Sequence, residues 1–205
     1  DLSTSSTPST SISIGTADAT RVVVCVAHWI GANDRTLSSA TINGVSATVV
    51  NQFVIDNADD FRAPGVAIFA AAVPTGTTVT VGMSFSGSVT AKVATYSVYN
   101  LNSATAVDSA SLGGDLDLNT DWTNNVDVQA GGFGISGLIC QSNGTALIVT
   151  PSLTQSYFTG PVLAAGLWVY SGAYLPSSTV ANQAFTINTD QAGDSALAWV
   201  SASWR

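Results

Sequence analysis

The chain is written in short runs of Val, Ile, Thr and aromatic residues, each cut off by Gly, Pro, Asn, Asp or Ser. No 12-residue window carries a convincing 3.6-residue apolar period. That grammar leaves room for a helical turn or two and no more. It predicts strands near 11–14, 21–29, 37–42, 46–54, 65–73, 77–85, 89–99, 126–140, 145–150, 162–171, 182–189 and 195–204. Composition points the same way. Only 9% of the residues are charged, against roughly 25% in ordinary domains. All 13 acidic residues are Asp, and Lys and Arg together number 5, so the residues that fill exposed helices are missing. Many short strands in series make a sandwich or a barrel. A chain of 205 residues suffices for one large domain or two small ones, with a substantial core.

Turn chemistry supports the strands. In "TINGVSAT" the pair Asn43-Gly44 sits between two β-rich runs, the preferred pair for a two-residue hairpin needing positive φ. "QSNGTALIV" repeats the device at Asn143-Gly144, where Asn143-Gly144-Thr145 also matches a glycosylation sequon that the turn explains adequately. A weak internal repeat lays 68–99 over 171–204: an apolar strand, a Pro with small polar residues, a Thr-rich strand, then a long strand ending in aromatics. Upstream, "RVVVCVAHW" and "GGFGISGLIC" occupy corresponding places. The expected organisation is an extended arm or linker over 1–10, "DLSTSSTPST", and a single β-sandwich domain over 11–205, with pseudo-repeat halves of about 20–112 and 126–205. The chain opens at Asp1 with no initiator Met and no leader, which processing, an unresolved start or an excised domain would explain.

The net charge of −8 argues against nucleic acid, whose phosphates need a basic patch, and against anionic membrane surfaces. No apolar run approaches the ~18 residues of a membrane span. Cys25 and Cys140 both lie in apolar strand-like runs; buried free thiols are the favoured reading, with a disulfide between them left open. A surface this poor in charge must be hydroxyl and amide, a pattern common in secreted, cell-surface and virion proteins.

Several of these stretches together resemble something familiar. An opening strand after Arg21, the "INGVSAT" hairpin, an apolar strand ending in "VPTGTTVTV", then "GGFGISG" and the terminal "ALAWVSASW" are similar to the jelly-roll-like β-sandwich modules of tailed-phage virion structural proteins. Such modules occur in head-decoration, fibre and tail proteins. The resemblance covers most of residues 20–205 and rests on small-residue and turn positions. It implies an all-β, two-sheet antiparallel sandwich with a structural or adhesive role, located in the virion. It carries over no catalytic residue.

Candidate chemistry is sparse. His28, the chain's one histidine, stands near the end of an apolar strand, where an imidazole can reach a partner at the edge. Cys25 points to the opposite face, no G-x-S-x-G elbow exists, and three His and Cys residues in all are too few for an ordinary zinc site. A structural histidine is the favoured reading. A pair of Asp residues acting as a glycosidase acid and base cannot be selected without a cleft. The best candidate is "GGDLDLNTDWTNNVD", 113–127, read as an acidic loop joining the halves. Asp115, Asp117, Asn119 and Asp121 recur at every second residue, and in an extended segment they would offer oxygen ligands on one side, as calcium requires. Thr120 and Val126 stand where an EF-hand needs Gly and Glu, so this is no EF-hand. Apart from this calcium reading no cofactor is expected. Trp122, inside the same polar stretch, would anchor the loop, stack on a sugar or touch a neighbouring subunit. "DNADDFRAP", 56–64, is a second acidic loop to which the same weighing applies.

Runs such as 22–27, 65–73 and 162–170 are apolar on both faces, and one domain is not expected to hide so many outer faces unaided. This suggests a homo-oligomer, a trimer by analogy with phage fibres and decorations. The expected function is therefore a non-enzymatic virion protein that packs against other virion proteins and contacts a host surface or its glycans. The alternative is a secreted, extracellular carbohydrate-binding module using Trp122 and the Asp115–Asp121 segment; a sandwich-fold glycan hydrolase is weaker.

Overall fold

Strands and turns fill the molecule, with no helix among the described residues. The structure, a computed structural model, describes residues 4–32, 34–55, 63–116, 120–141, 154–159, 167–174, 180–189 and 195–205. The first half of the chain supplies β1 (Ser9–Ser13), β2 (Val22–Gly31), β3 (Leu37–Ile42), β4 (Val45–Val54), β5 (Ala63–Ala72), β6 (Thr78–Phe85) and β7 (Val89–Val98). The second half supplies β8 (Asp108–Leu116), β9 (Thr120–Val128), β10 (Phe133–Gln141) and β11 (Thr154–Thr159). It ends with β12 (Leu167–Tyr174), β13 (Val180–Thr189) and β14 (Ser195–Trp204).

Each half builds its own sheet. The first is seven-stranded in the order β1-β6-β3-β4-β5-β2-β7, and the second five-stranded in the order β11-β12-β10-β14-β8, with β13-β9 as a separate pair. All pairings are antiparallel. The larger sheet curls until its edges nearly meet: Ser5 exchanges backbone hydrogen bonds with Val89, and Ser97 Oγ donates to the Ile14 carbonyl at 2.7 Å. Residues 5–8 are thus bound to the barrel, with Met83 N donating to Pro8 O and Phe85 N to Ser6 O. From Ser5 onward the expected arm lies along the edge of the barrel and leads into β1.

Period-two alternation sorts the side chains into three cores. Val23, Cys25, Ala27 and Trp29 of β2 point into the first barrel with Phe69, Val81, Met83 and Phe85. Val22, Val24, Val26 and Ile30, on the other face, meet Ile135 and Ile139 of β10 and Ala198, Val200 and Trp204 of β14. A third core joins Val126 and Val128 of β9 to Leu138, Cys140, Phe185, Leu197 and Trp199. The middle core explains why β2 and β5 are apolar on both faces. One face fills the barrel and the other is covered by the chain's own second sheet, so these strands need no neighbouring subunit to hide them.

Local chemistry fixes two positions. Asn43 (φ 54°) and Gly44 (φ 78°) form the two-residue turn of the β3–β4 hairpin, as the dipeptide predicts. Gly137 lets the sheets approach: a Cβ there would lie 2.2 Å from Val26 Cγ1. The strand order β4-β5-β2-β7 recurs as β11-β12-β10-β14. Register shifts also recur, between Val49 and Asn51 in β4 and between Gln155 and Tyr157 in β11. These fall on one cross-strand row in each sheet, Val49–Phe69–Cys25–Thr95 and Gln155–Gly172–Ser136–Ser201.

Of the expected strands, 126–140 divides into β9 and β10 at the Gln129–Gly132 turn, where Gly132 N donates to Gln129 O. Strands β8 and β11 have no counterpart among the expected ones. The expected strand at 145–150 and the Asn143-Gly144 turn lie outside the described residues, as does 162–166.

Candidate functional site

Among the described residues, the segment 113–127 is strand and not loop. Its described residues belong to two strands, 113–116 to β8 and 120–127 to β9. From Trp122 onward β9 alternates: Asn124, Val126 and Val128 are buried and Trp122 is half-buried, while Thr123, Asn125 and Asp127 are exposed. Part of the polar composition that suggested a loop, Thr123, Asn125 and Asp127, belongs to the outer face of a strand. Asp115 is opposite Ala196 in the β8–β14 ladder and Asp121 opposite Asn188 in the β9–β13 ladder, so the two belong to different strands. Asp117 and Asn119 lie outside the described residues, as do 56–62 of the second acidic stretch. Among the described residues no three His, Cys, Asp or Glu side chains gather.

Trp122 leans on the third core, its ring edge over Gly114, where an added Cβ would meet Cη2 at 3.6 Å. Its Nε1 is buried and meets no hydrogen-bond partner among the described residues. Beside it runs a buried polar chain. Trp199 Nε1 donates to Ser136 Oγ, Ser201 Oγ donates to the same oxygen at 3.1 Å, and Asn124 Nδ2 donates to Ser201 Oγ at 3.2 Å. Asn124 Nδ2 also reaches the Ala110 carbonyl at 3.3 Å, tying β9 to β8. These hydroxyls are satisfied by one another inside a closed core, an arrangement that specifies packing.

His28 is 0% exposed and does not sit at an edge. It lies in β2 between Val66 of β5 and Lys92 of β7, with its Nε2 3.5 Å from where a Cβ on Gly137 would stand. Its strand face is otherwise Val22, Val24, Val26 and Ile30. Cys25 lies on the opposite face, as the three-residue spacing requires. Both cysteines are free and buried, Cys25 in the first core and Cys140 in the third. Burial without a nearby cation raises both thiols far above their ordinary range, Cys140 to about 12, so neither supplies a thiolate at neutral pH.

The outside of the first barrel is a hydroxyl surface. Ser9, Ser11 and Ser13 of β1, Thr78 and Thr80 of β6, Ser39 and Thr41 of β3, and Ser46 and Thr48 of β4 are all exposed. The register aligns Ser9, Gly82, Thr41 and Ser46 in one row. A groove of about 160 Å³ crosses this face, lined by Thr7, Pro8, Ser39, Thr41, Gly82 and Ser84 among others. Ordinary small-molecule sites hold roughly 300–1,000 Å³.

In the sequence Arg21 is marked only as the residue ahead of a strand, with no role assigned to it. Arg21 is 1% exposed and spends every guanidinium donor on a backbone carbonyl: Nε to Val73, Nη1 to Gly15 and Thr16, Nη2 to Thr75 and Gly76, at 2.6–3.2 Å. It locks the 15–21 turn to the 73–76 turn at one end of the barrel. The available signal was an arginine set directly before a fully apolar strand in a chain with few charges. Compared with known protein families, with curated proteins and with solved structures, the chain matches none.

Proposed function

We propose that this protein is a non-enzymatic structural component of a phage virion, a head-decoration or tail/fibre protein that works by packing its surfaces against other virion proteins. The observation that carries the reading is the division of the molecule into sealed apolar layers and a hydroxyl-coated exterior. The one histidine is enclosed in the middle core, the two thiols are held protonated, and the groove on the hydroxyl face is shallow. A surface of Ser and Thr hydroxyls with little charge suits broad, sequence-tolerant contact better than capture of a small molecule. The sequence resemblance supplies the phage setting. A trimer rests on that resemblance alone, because the chain covers the outer faces of β2 and β5 itself.

Purified particles from the source phage test the reading. Quantitative mass spectrometry should find the chain at a fixed, stoichiometric copy number that survives a density gradient. Absence from intact particles would overturn it, and so would glycan binding that disappears in Trp122→Ala, which would move the assignment to a carbohydrate-binding module.

A further inference from the structure

The first barrel contains seven strands whose directions alternate across all six ladders, so its first and last strands, β1 and β7, run parallel to each other, although the isolated Ser5–Val89 bridge just ahead of β1 is locally antiparallel. Antiparallel pairing cannot close a ring with an odd number of strands. Here the seam holds no ladder among the described residues beyond the Ser5–Val89 bridge. Side chains staple it instead: Thr4 Oγ1 with Thr90 Oγ1 at 2.8 Å, Ser97 Oγ to Ile14 O at 2.7 Å, and Tyr99 Oη to Thr16 O at 3.2 Å. Because Val89 turns its N–H and C=O toward Ser5, alternation turns those of Ala91, Val93 and Thr95 into the seam as well. From the other side, the Ser6 and Pro8 carbonyls and the Ile14 N–H bond toward β6, so by alternation Ser9, Ser11 and Ser13 aim their backbone groups into the seam.

The second half shows what fits such a seam. There β14 corresponds to β7, and β9, paired with β13, corresponds to β1, paired with β6. Ser203 Oγ donates to Asp127 O at 2.6 Å, repeating the Ser97 staple. Yet β14 carries an extra antiparallel partner, β8, over nine residue pairs. This strand is "DSASLGGDL": small, mostly uncharged residues, with Ala110 and Leu112 against the third core and Gly113 beneath Phe53 of β4.

We propose that the β1/β7 seam is an acceptor slot for one extended strand donated by another polypeptide, running antiparallel to β7 and built, like β8, of small uncharged residues with Ala- or Leu-sized side chains on one alternating face. Insertion supplies the eighth strand that makes every contact in the ring antiparallel. It exchanges three side-chain staples and the Ser5 bridge for a full ladder on the β7 edge. The slot does not depend on the virion reading, since any assembly can donate such a strand.

The probe is a synthetic peptide, VDSASLGGDL, added to the full chain labelled with nitrogen-15. Expected are chemical-shift changes along β7 and at least tenfold slower amide exchange at Ala91, Val93 and Thr95. The double variant Ser97→Ala, Tyr99→Phe, which loosens the staples, should bind several-fold more tightly. A peptide of the same sequence N-methylated at alternate residues keeps every side chain and should not bind. Absence of any change at β7 with millimolar peptide would overturn the proposal. So would protection confined to β14 and β9, or equal binding by the N-methylated peptide.

Discussion

Arg21 shows how much of this fold hangs on one side chain. A buried guanidinium is tolerated only when its donors are satisfied, and here five carbonyls from two turns satisfy it. Lysine has three donors on one nitrogen and cannot span both turns. Hydrogen bonds to a charged group contribute ~1.5–3 kcal/mol each, so losing at least two of them in Arg21→Lys should cost about 3 kcal/mol or more. Urea denaturation reads this, and a loss below about 1 kcal/mol would mean the turns hold without the clamp. The same turn carries Asp18, whose carboxyl the Thr20 hydroxyl and amide hold below the ordinary carboxylate range. The thiols define the alkaline side. Their folded pKa values are raised by burial, above the ~8.5 of an unfolded cysteine. Their stabilising contribution is therefore complete below about pH 8.5 and is lost as pH rises from there toward the folded values. The double variant Cys25→Ala, Cys140→Ala, although less stable throughout, should show a shallower fall in stability between pH 8 and 10. A thiol reagent should modify the native chain only as fast as it unfolds.

At the scale of elements, close approach of strands decides the architecture. Gly137 on β10 and Val26 on β2 touch where the two sheets meet, and there is no room for a methyl group at 137. Gly137→Ala should destabilise by about 1–3 kcal/mol, the usual cost of overpacking. Val26→Ala opens space at the same point, so the double variant should be less destabilised than the sum of the two singles. Coupling of about 0.5 kcal/mol or more in a double-mutant cycle is the expected result, and strict additivity would place the sheets farther apart. The sequence made some elements plain. The limits of β3 and β14 follow from their β-branched and aromatic runs and from the Asn43-Gly44 turn. Strand β8 was illegible because Gly, Ser and Asp have low strand propensity; only its neighbours β14 and β4 make "DSASLGGDL" extended. Strand β9 was hidden by its outward Thr123, Asn125 and Asp127, which read as loop chemistry until Asn124, Val126 and Val128 are seen to face a core. Of the candidate calcium run, Asp115 belongs to β8 and Asp121 to β9, while Asp117 and Asn119 lie outside the described residues.

For the whole molecule, the decisive feature is that neither half closes its apolar surface alone. The repeated strand order and the matched register shifts make the halves look like two units. Two-sided apolar strands were legible in "RVVVCVAHWI" and "GVAIFAAAV", but a sequence cannot say whether the covering surface comes from another chain or from its own second half. The middle core answers that, with Val22, Val24, Val26, Val66 and Ile68 on one side and Ile135, Ile139, Val200 and Trp204 on the other. Each such side chain is worth about 1.5–3 kcal/mol when removed from water, so separating the halves would forfeit a large share of the total stability. Unfolding should therefore be a single transition despite the repeat. Truncating Ile135, which is fully buried in the middle core, tests this. Ile135→Ala should cost about 2–5 kcal/mol. In native-state hydrogen exchange the slowest amides of β3, deep in the first half, and of β9, in the second, should be destabilised by the same amount. If β9 amides lose protection while those of β3 keep theirs, the halves unfold separately, and the middle core is a contact surface between two independent units.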